Sequence, residues 1–128
     1  LMVPNVKDAD RLSLSELCRA IRALTDTARA GRATPSDLTG GTITITNVGV
    51  YGIDTGTPIL NPGEAAILAL GAITRRPWVV GDDIVARDVT TLGLTVDHRL
   101  VDGEQASRFL ADLGAMLHDP VTCLLAVL

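Results

Sequence analysis

The spacing of apolar residues predicts a first helix after Ser13. Apolar side chains recur there every three or four positions, which places them on one face of a helix: Leu14, Leu17, Ile21, Leu24 and Ala28. Ser13 and Glu16 match a capping box at the start of this helix, and Gly31 fits its end. A threonine followed by a proline then predicts a short turn of helix at 34–37.

In the middle of the chain the spacing changes to that of strands. Threonine and isoleucine alternate at 42–46, which predicts a half-buried strand with one polar face. The loop that follows is long for a compact domain, and such loops often carry function. Residues 65–73 are almost continuously apolar. Their short length, between Gly63 and Pro77, favours a buried strand over a buried helix.

The rest of the pattern predicts a hairpin, a further strand and a second helix. Two apolar stretches flank a glycine and two aspartates at 78–85, as in a hairpin. We expect the strand after the hairpin to run from about Ile84 to Val96, with a bulge at Gly93. A turn at 97–103 leads into a helix that ends before Pro120. The apolar face of this helix is formed by Ala106, Phe109, Leu110, Leu113, Met116 and Leu117.

Composition narrows the class of protein. The 128 residues are 47% hydrophobic and 20% charged, which fits one globular domain without a linker or repeat. A formal net charge of -4 argues against a nucleic-acid partner, which would need a basic face. No apolar run is long enough to span a bilayer, so no membrane partner is expected. Without a signal peptide, the simplest expectation is a cytoplasmic location.

The cysteines and one of the two histidines suggest structural roles. Cys18 and Cys123 make no disulfide framework, and Cys18 falls on the apolar stripe of the first helix, which predicts a buried thiol. No cysteines or histidines are grouped at metal-ligand spacing, so no metal is expected. His118 lies in the last turn of the second helix, where a favourable contact with the helix dipole is its expected role.

The turn at 97–103, with the sequence DHRLVDG, contains the residues best suited to catalysis. A free histidine has a pKa of about 6.5 and a free thiol one of about 8.5, so a histidine can take a thiol proton at modest cost. His98 is therefore a candidate general base. Asp102 can hold the turn and support the imidazolium, and Gly103 permits a tight approach at the helix start. On composition alone, however, a solvated turn is the favoured interpretation.

Three stretches, in the same order, resemble the catalytic domain of dihydrolipoamide acyltransferases, the core subunits of 2-oxo acid dehydrogenase complexes. They are the strand GGTITITNVG at 40–49, the segment PILNPGEAAIL at 58–68 and the turn DHRLVDG at 97–103. The resemblance covers essentially the whole chain. With it, the catalytic interpretation of His98 replaces that of a solvated turn.

The resemblance implies roles for three residues. His98 matches the base that deprotonates the thiol of coenzyme A, whose thiolate then attacks the thioester of an acyl-dihydrolipoyl group. Thr46 matches a serine or threonine whose hydroxyl donates to the oxyanion of the tetrahedral intermediate. Without the resemblance, Thr46 would be a surface threonine of a strand. Asp102 matches an acid that supports the structure of the site. Residues that bind coenzyme A are not identified.

The resemblance also implies a fold and an assembly. The fold is α+β, a mixed β-sheet with helices packed on one side, similar to chloramphenicol acetyltransferase. In this family the base and the oxyanion donor meet across a subunit boundary of a trimer, so His98 and Thr46 are expected to come from different chains. Trimers assemble into a larger core that works with a decarboxylating dehydrogenase and a dihydrolipoamide dehydrogenase. The apolar tail, with Leu124, Leu125, Val127 and Leu128, suits trimer contacts or packing within its own chain equally well.

The family's catalytic domain is longer than this chain. Residues 1–128 are therefore expected to be its C-terminal part, with the N-terminal part and the lipoyl domain absent. Lys7 is the only lysine, so the lipoyl group is expected on another domain or chain. A chain of these 128 residues alone is expected to be weakly active or inactive.

The acyl group is predicted only in outline, with acetyl or branched-chain acyl favoured over succinyl. Two other functions stay open. One is an antibiotic-modifying acetyltransferase, which shares the histidine turn, and the other is a core fragment that serves assembly alone.

Overall fold

A computed structural model describes residues 1–127, which divide into two compact units. The first comprises Leu1–Thr42 and the chain from Pro120 on, and the second comprises Ile43–Asp119. The helices and strands are α1 (Leu14–Arg29), α2 (Pro35–Leu38), β1 (Ile43–Asn47), β2 (Ala66–Leu70), β3 (Thr74–Val80), β4 (Asp83–Val89), β5 (Leu92–Val96), α3 (Gly103–His118) and α4 (Pro120–Val127). Short 3-10 turns lie at Ala9–Arg11 and Gly49–Tyr51.

The predicted capping box of α1 is confirmed. The Ser13 N–H donates to Glu16 Oε2 at 2.8 Å, and the Glu16 N–H donates to Ser13 Oγ at 3.4 Å. These bonds satisfy two of the N–H groups that a helix start leaves without partners. At the other end, Gly31 has a φ of 68°, the left-handed conformation that glycine adopts most easily.

The prediction of a buried Cys18 is wrong, because its thiol is exposed. The half-buried side of α1 carries Leu17 and Leu24, whereas Ile21, which lies near Cys18 on the helix surface, is 51% exposed. The apolar stripe is therefore wider than the surface that the described residues cover, and Cys18 lies on its open edge.

The second unit is built on a mixed three-stranded sheet in the order β1-β2-β5, which confirms the predicted mixed sheet. Strand β1 pairs with β2 in parallel, and β2 pairs with β5 antiparallel. Two parallel neighbours cannot be joined by a tight turn, which explains the long connection at 48–65. The most buried side chains lie on the central strand and are Ile67, Leu68 and Ala69.

The connection between β1 and β2 lies directly on the sheet, and glycines make room for it. A Cβ at Gly71 would stand 2.0 Å from the carbonyl oxygen of Asp54, and one at Gly93 would stand 2.7 Å from that of Gly56. The hydroxyl of Thr95 donates to another carbonyl of this loop, at 2.7 Å. The predicted bulge at Gly93 is wrong: this residue pairs regularly with β2, and it is glycine because a backbone passes over it.

The predicted long strand from Ile84 to Val96 is two strands in two different sheets. Within residues 1–127, strand β4 pairs with β3 alone, in the predicted hairpin, and β5 pairs with β2. Between them, Thr90 donates its hydroxyl to the carbonyl of Gly71, and the Gly71 N–H donates to the carbonyl of Thr91, both at 2.9 Å. The apolar pattern runs on without interruption, so it does not reveal the change of partner.

The predicted second helix is α3, and it contacts β5. The chain from Pro120 forms a further helix, α4; Leu128 and the side chain of Val127, both part of the predicted apolar tail, lie outside the described residues. Across residues 1–127, no single helix is long and apolar enough to cross a membrane. Only α3 and Pro120–Ala126 taken together, as a bent pair, pass that test, by length and composition.

Candidate active site

The turn that carries His98 is held by the backbone of its neighbour Asp97. The Asp97 N–H donates to the carbonyl of Ala65 at 2.9 Å, which ties the turn to the start of β2. The Asp97 carbonyl accepts the N–H groups of Leu100 and Val101, at 2.9 and 3.0 Å. His98 is exposed, and its side chain makes no hydrogen bond to any residue among 1–127. Its imidazole is therefore accessible to solvent and not engaged by a described residue.

The side chain of Asp97 adds a second set of bonds around His98. Its Oδ1 accepts the Arg99 N–H at 3.0 Å and Arg99 Nε at 2.9 Å, while Oδ2 accepts Arg99 Nη2 at 2.6 Å. The carboxylate is 15% exposed, but the Arg99 side chain is 89% exposed. Hydrogen bonds from the Arg99 side chain, and then from its N–H, lower the pKa of Asp97 to about 2.

Asp102 caps the helix that follows the turn. Its Oδ1 accepts the Gln105 N–H at 2.8 Å, and the Asp102 N–H donates to Gln105 Oε1 at 3.1 Å. This reciprocal pair fixes the first turn of α3 and with it the end of the His98 turn. The carboxylate of Asp102 thus serves the geometry of the turn, and no described residue links it to the imidazole of His98.

Thr46 lies on β1, on the side of the sheet that the connecting loop covers. The threonines of β1 are half-buried, whereas Ile43 and Ile45 are 44% and 66% exposed, so the polar side is the more covered one. Thr44 explains why: its hydroxyl donates to Glu64 Oε2 at 2.6 Å and accepts from Asn61 Nδ2 at 3.0 Å. No described residue hydrogen-bonds to the Thr46 hydroxyl, which leaves it available to a ligand.

Within one chain the sheet keeps Thr46 away from His98. Thr46 pairs with Ala69, which pairs with Gly93, so these three residues form one row across the sheet. Strand β5 continues for three more residues, to Val96, before the turn begins. Three residues along a strand and two strands across it place Thr46 about 14 Å from the end of β5. Within one chain, Thr46 and the end of the strand that leads to His98 are therefore much further apart than hydrogen-bonding distance.

Two features near the site were missed by the sequence interpretation. One is the bond set of Asp97, although the aspartate and arginine on either side of His98 were a visible signal. The other is the hydrogen-bonded group of Thr44, Asn61 and Glu64 beside Thr46, which residues up to 20 positions apart form. Long-range polar contacts of this kind leave no periodic signal in a sequence.

Comparison with known proteins identifies the family. A family model described as 2-oxoacid dehydrogenases acyltransferase (catalytic domain) matches residues 1–125. The chain belongs to this family. The match confirms the resemblance seen in the three sequence motifs, and it is to the 2-oxo acid dehydrogenase type rather than to the antibiotic-modifying type.

Curated relatives of this acyltransferase-family chain transfer different acyl groups. The dihydrolipoyllysine-residue acetyltransferase component of the pyruvate dehydrogenase complex from Acholeplasma laidlawii is 47% identical over 126 residues, which cover 98% of this chain and 23% of the relative. The succinyltransferase component of the 2-oxoglutarate dehydrogenase complex from Haemophilus influenzae is 42% identical over 127 residues, 99% of this chain and 31% of the relative. The chain thus spans about a quarter to a third of these relatives.

A solved structure of similar fold is the dihydrolipoamide acetyltransferase of Azotobacter vinelandii. The two superpose with a TM-score of 0.85 and 31% sequence identity, over 96% of this chain and 51% of that one. This likeness confirms the predicted fold and shows that the chain corresponds to about half of that structure. In the Azotobacter protein, a serine, a histidine 52 residues later and an asparagine 4 residues after the histidine have been investigated for their role in catalysis.

Proposed function

We propose that this chain is part of a dihydrolipoyllysine-residue acyltransferase, which moves an acyl group between dihydrolipoyl-lysine and coenzyme A. The observation that carries the proposal is a spacing. His98 follows Thr46 by 52 positions and precedes Asp102 by 4, the separations of the serine, histidine and asparagine investigated in the Azotobacter enzyme. Threonine keeps the hydroxyl of serine, and aspartate keeps the capping ability of asparagine.

In the proposed reaction His98 takes the proton from the thiol of coenzyme A. The thiolate attacks the carbonyl carbon of the acyl-dihydrolipoyl thioester, and the carbonyl oxygen becomes an oxyanion. The Thr46 hydroxyl donates a hydrogen bond to that oxyanion. When the intermediate collapses, the bond to the dihydrolipoyl sulfur breaks, and the imidazolium returns its proton to the departing thiolate. The exposed imidazole supports the role of His98, and the Thr46 hydroxyl, to which no described residue hydrogen-bonds, supports that of Thr46.

We further propose that the two groups meet between subunits. The separation of about 14 Å between Thr46 and the end of β5 in one chain supports an arrangement in which a second copy supplies the missing partner. A trimer of the family type would supply three such sites. In that assembly the chain would work in the core of a 2-oxo acid dehydrogenase complex, with a decarboxylating dehydrogenase and a dihydrolipoamide dehydrogenase as partners. We propose a cytoplasmic location and a lipoyl group carried on a separate domain.

The proposal also includes the identity of the acyl group that is transferred. Acetyl or branched-chain acyl remains our prediction, while relatives of comparable identity include both acetyl- and succinyltransferases. An assay of the native protein against acetyl-, isobutyryl- and succinyl-coenzyme A with free dihydrolipoamide decides this directly. A preference of tenfold or more in kcat/KM for the succinyl ester would contradict the prediction; a factor of ten is about 1.4 kcal/mol of transition-state binding.

Replacement of the proposed base tests the proposed function. We expect His98→Ala to lower kcat by about 10²- to 10⁴-fold, the usual contribution of a general base. His118→Ala is the matched control, since His118 is an exposed histidine in the last turn of α3 and is expected to leave kcat unchanged. Equal activity of the two variants would remove the role of His98. Loss of activity together with normal assembly would separate catalysis from an assembly-only function.

A further inference from the structure

The side chain of Asp97 accepts a hydrogen bond from the backbone of Arg99 and so closes a hydrogen-bonded ring that contains His98. Its Oδ1 lies 3.0 Å from the Arg99 N–H, a bond from an aspartate to the backbone two residues later. Asparagine and aspartate form such turns readily because their side chains are short enough to reach that N–H. His98 is the one residue enclosed, so its φ and ψ angles are fixed on both sides.

This enclosure matters because His98 has no side-chain partner of its own among residues 1–127. Many catalytic histidines are oriented by a carboxylate that accepts from the other ring nitrogen. Neither Asp97 nor Asp102 does so here, since the first is bonded to Arg99 and the second to Gln105. The direction of the His98 Cα–Cβ bond is therefore set by the backbone of the turn.

We propose that Asp97 is a positioning residue that holds the His98 backbone in its reactive geometry by accepting the Arg99 N–H. The inference rests on the proposed role of His98 as the general base. A misplacement of about 1 Å in a reacting group can cost roughly a hundredfold in rate, so a backbone that fixes Cβ has a kinetic effect.

The acceptor oxygen, rather than the negative charge, is the part of Asp97 that does this. The Arg99 side chain is 89% exposed, and ion pairs with an exposed partner stabilise proteins little. The Asp97 carboxylate is only 15% exposed, and the N–H it accepts belongs to the turn itself. With a pKa of about 2, the carboxylate is also ionised at every pH used for an assay, so it remains an acceptor throughout.

Two substitutions separate geometry from charge. Asp97→Asn keeps an oxygen at the position of Oδ1 and removes the charge, whereas Asp97→Glu keeps the charge and lengthens the side chain by one methylene, so the ring to Arg99 no longer closes. In both variants the backbone bonds of Asp97 to Ala65, Leu100 and Val101 can remain. Asp88→Glu is the matched control: it makes the same change at an exposed aspartate paired with Arg75 at 3.9 Å, in the β3–β4 hairpin.

In the native protein we expect Asp97→Glu to lower kcat by about 10- to 100-fold, while KM for both substrates stays within about twofold. Asp97→Asn should keep kcat within about threefold of the wild type, and Asp88→Glu should leave it unchanged. A lower kcat with an unchanged KM in Asp97→Glu, together with a nearly normal kcat in Asp97→Asn, would point to positioning. A general loss of stability would not produce this combination.

Hydrogen exchange of the Arg99 amide gives a readout that does not depend on activity. Exchange should be at least about tenfold faster in Asp97→Glu and unchanged in Asp97→Asn, because only the first variant frees the N–H. Three results would overturn the inference. They are an equal kcat in Asp97→Glu and Asp88→Glu, an unchanged exchange rate of the Arg99 amide in Asp97→Glu, and a large loss of kcat in Asp97→Asn. A wild-type protein without acyl transfer would refute the proposed function instead, and the exchange rates would still test the turn.

Discussion

His98 and the two aspartates of its turn have different roles. The imidazole is left without a described partner and exposed, while Asp97 and Asp102 each use their carboxylate on a backbone N–H of the turn or helix. A base must exchange protons with a substrate, so a firm bond on its reacting nitrogen would hinder it. The motif made His98 and Asp102 candidates, but only the family resemblance favoured the catalytic interpretation over a solvated turn. Thr46 was predicted through that resemblance alone. Nothing in residue types alone distinguishes Thr46 from Thr44.

Thr46 and Thr44 make a matched pair for a test at this scale. Both lie on the same face of β1, but within the described part of the chain only the Thr44 hydroxyl is hydrogen-bonded, to Asn61 and Glu64. We expect Thr46→Val to lower kcat by about 100-fold, since it removes a donor to the oxyanion, with little change in stability. Thr44→Val should instead cost about 1 to 3 kcal/mol of unfolding free energy, because Asn61 and Glu64 lose a part-buried partner.

Steady-state kinetics and denaturant unfolding of the native protein measure the two effects. Thr46→Ser should retain most of the activity, because it keeps the hydroxyl. If Thr46→Val loses no more kcat than Thr44→Val, the hydroxyl of Thr46 is not the oxyanion donor.

Among the elements, those with a local cause were predictable. The predicted capping box of α1 lies within four residues, and the predicted β3–β4 hairpin is closed by a tight turn at Gly81. The capping box of α3 is equally local but was not predicted. The end of β4 and the start of β5 were not predictable, because the change of partner depends on bonds of Thr90 and Thr91 to Gly71, about 20 residues away. The parallel pairing of β1 with β2 was equally hidden, since alternation along a strand does not give its direction.

Gly71 tests how closely the loop and the sheet depend on each other. A Cβ there would meet the backbone oxygen of Asp54 at 2.0 Å, and backbone on both sides cannot turn aside as a side chain can. We expect Gly71→Ala to cost about 1 to 3 kcal/mol of unfolding free energy or more, as overpacking does. Gly114→Ala is the control, because it lies in α3 with nothing within 4 Å and should stabilise by about 1 kcal/mol.

Thermal or denaturant unfolding of the native protein compares these two variants directly. A stable Gly71→Ala protein would mean that the loop does not rest on β2 as described. A destabilised Gly114→Ala protein would mean that α3 is packed there against a surface beyond the described residues.

For the molecule as a whole, the described chain covers little of its own apolar surface. Among the residues whose burial the structure describes, only three hydrophobic ones are buried, all on β2, and large side chains such as Phe109 at 45%, Met116 at 49% and Leu125 at 73% are exposed. A domain of about 100 to 150 residues normally buries a larger core. Exposed apolar surface on this scale is typical of interfaces, and the sequence could not show which of its apolar residues would remain uncovered.

A polypeptide limited to residues 1–128 is therefore expected to self-associate. The sedimentation coefficient measured by sedimentation velocity should rise with protein concentration. Association removes apolar surface from water, which is favourable by about 25 cal/mol for each Å² buried. The side chains of Ile45 and Leu125 are 66% and 73% exposed, respectively. The double variant Ile45→Thr, Leu125→Gln should therefore weaken the association. A single species of monomer mass at every concentration would contradict this expectation. Strong acyl transfer by the polypeptide alone would contradict the separate prediction that these 128 residues are weakly active or inactive.

The nesting of one strand pair inside another has a consequence for the order of folding. The β3–β4 hairpin lies in sequence between β2 and β5, and it pairs Thr74 with Val89. Its formation within microseconds brings the chain ends at Leu70 and Leu92 close together, so the entropy of closing that loop is lost before β2 and β5 meet. We expect their ladder then to extend from Leu70 and Leu92 towards Ala66 and Val96. We therefore expect the turn that bears His98, which follows Val96 and is tied to Ala65, to be brought into place last.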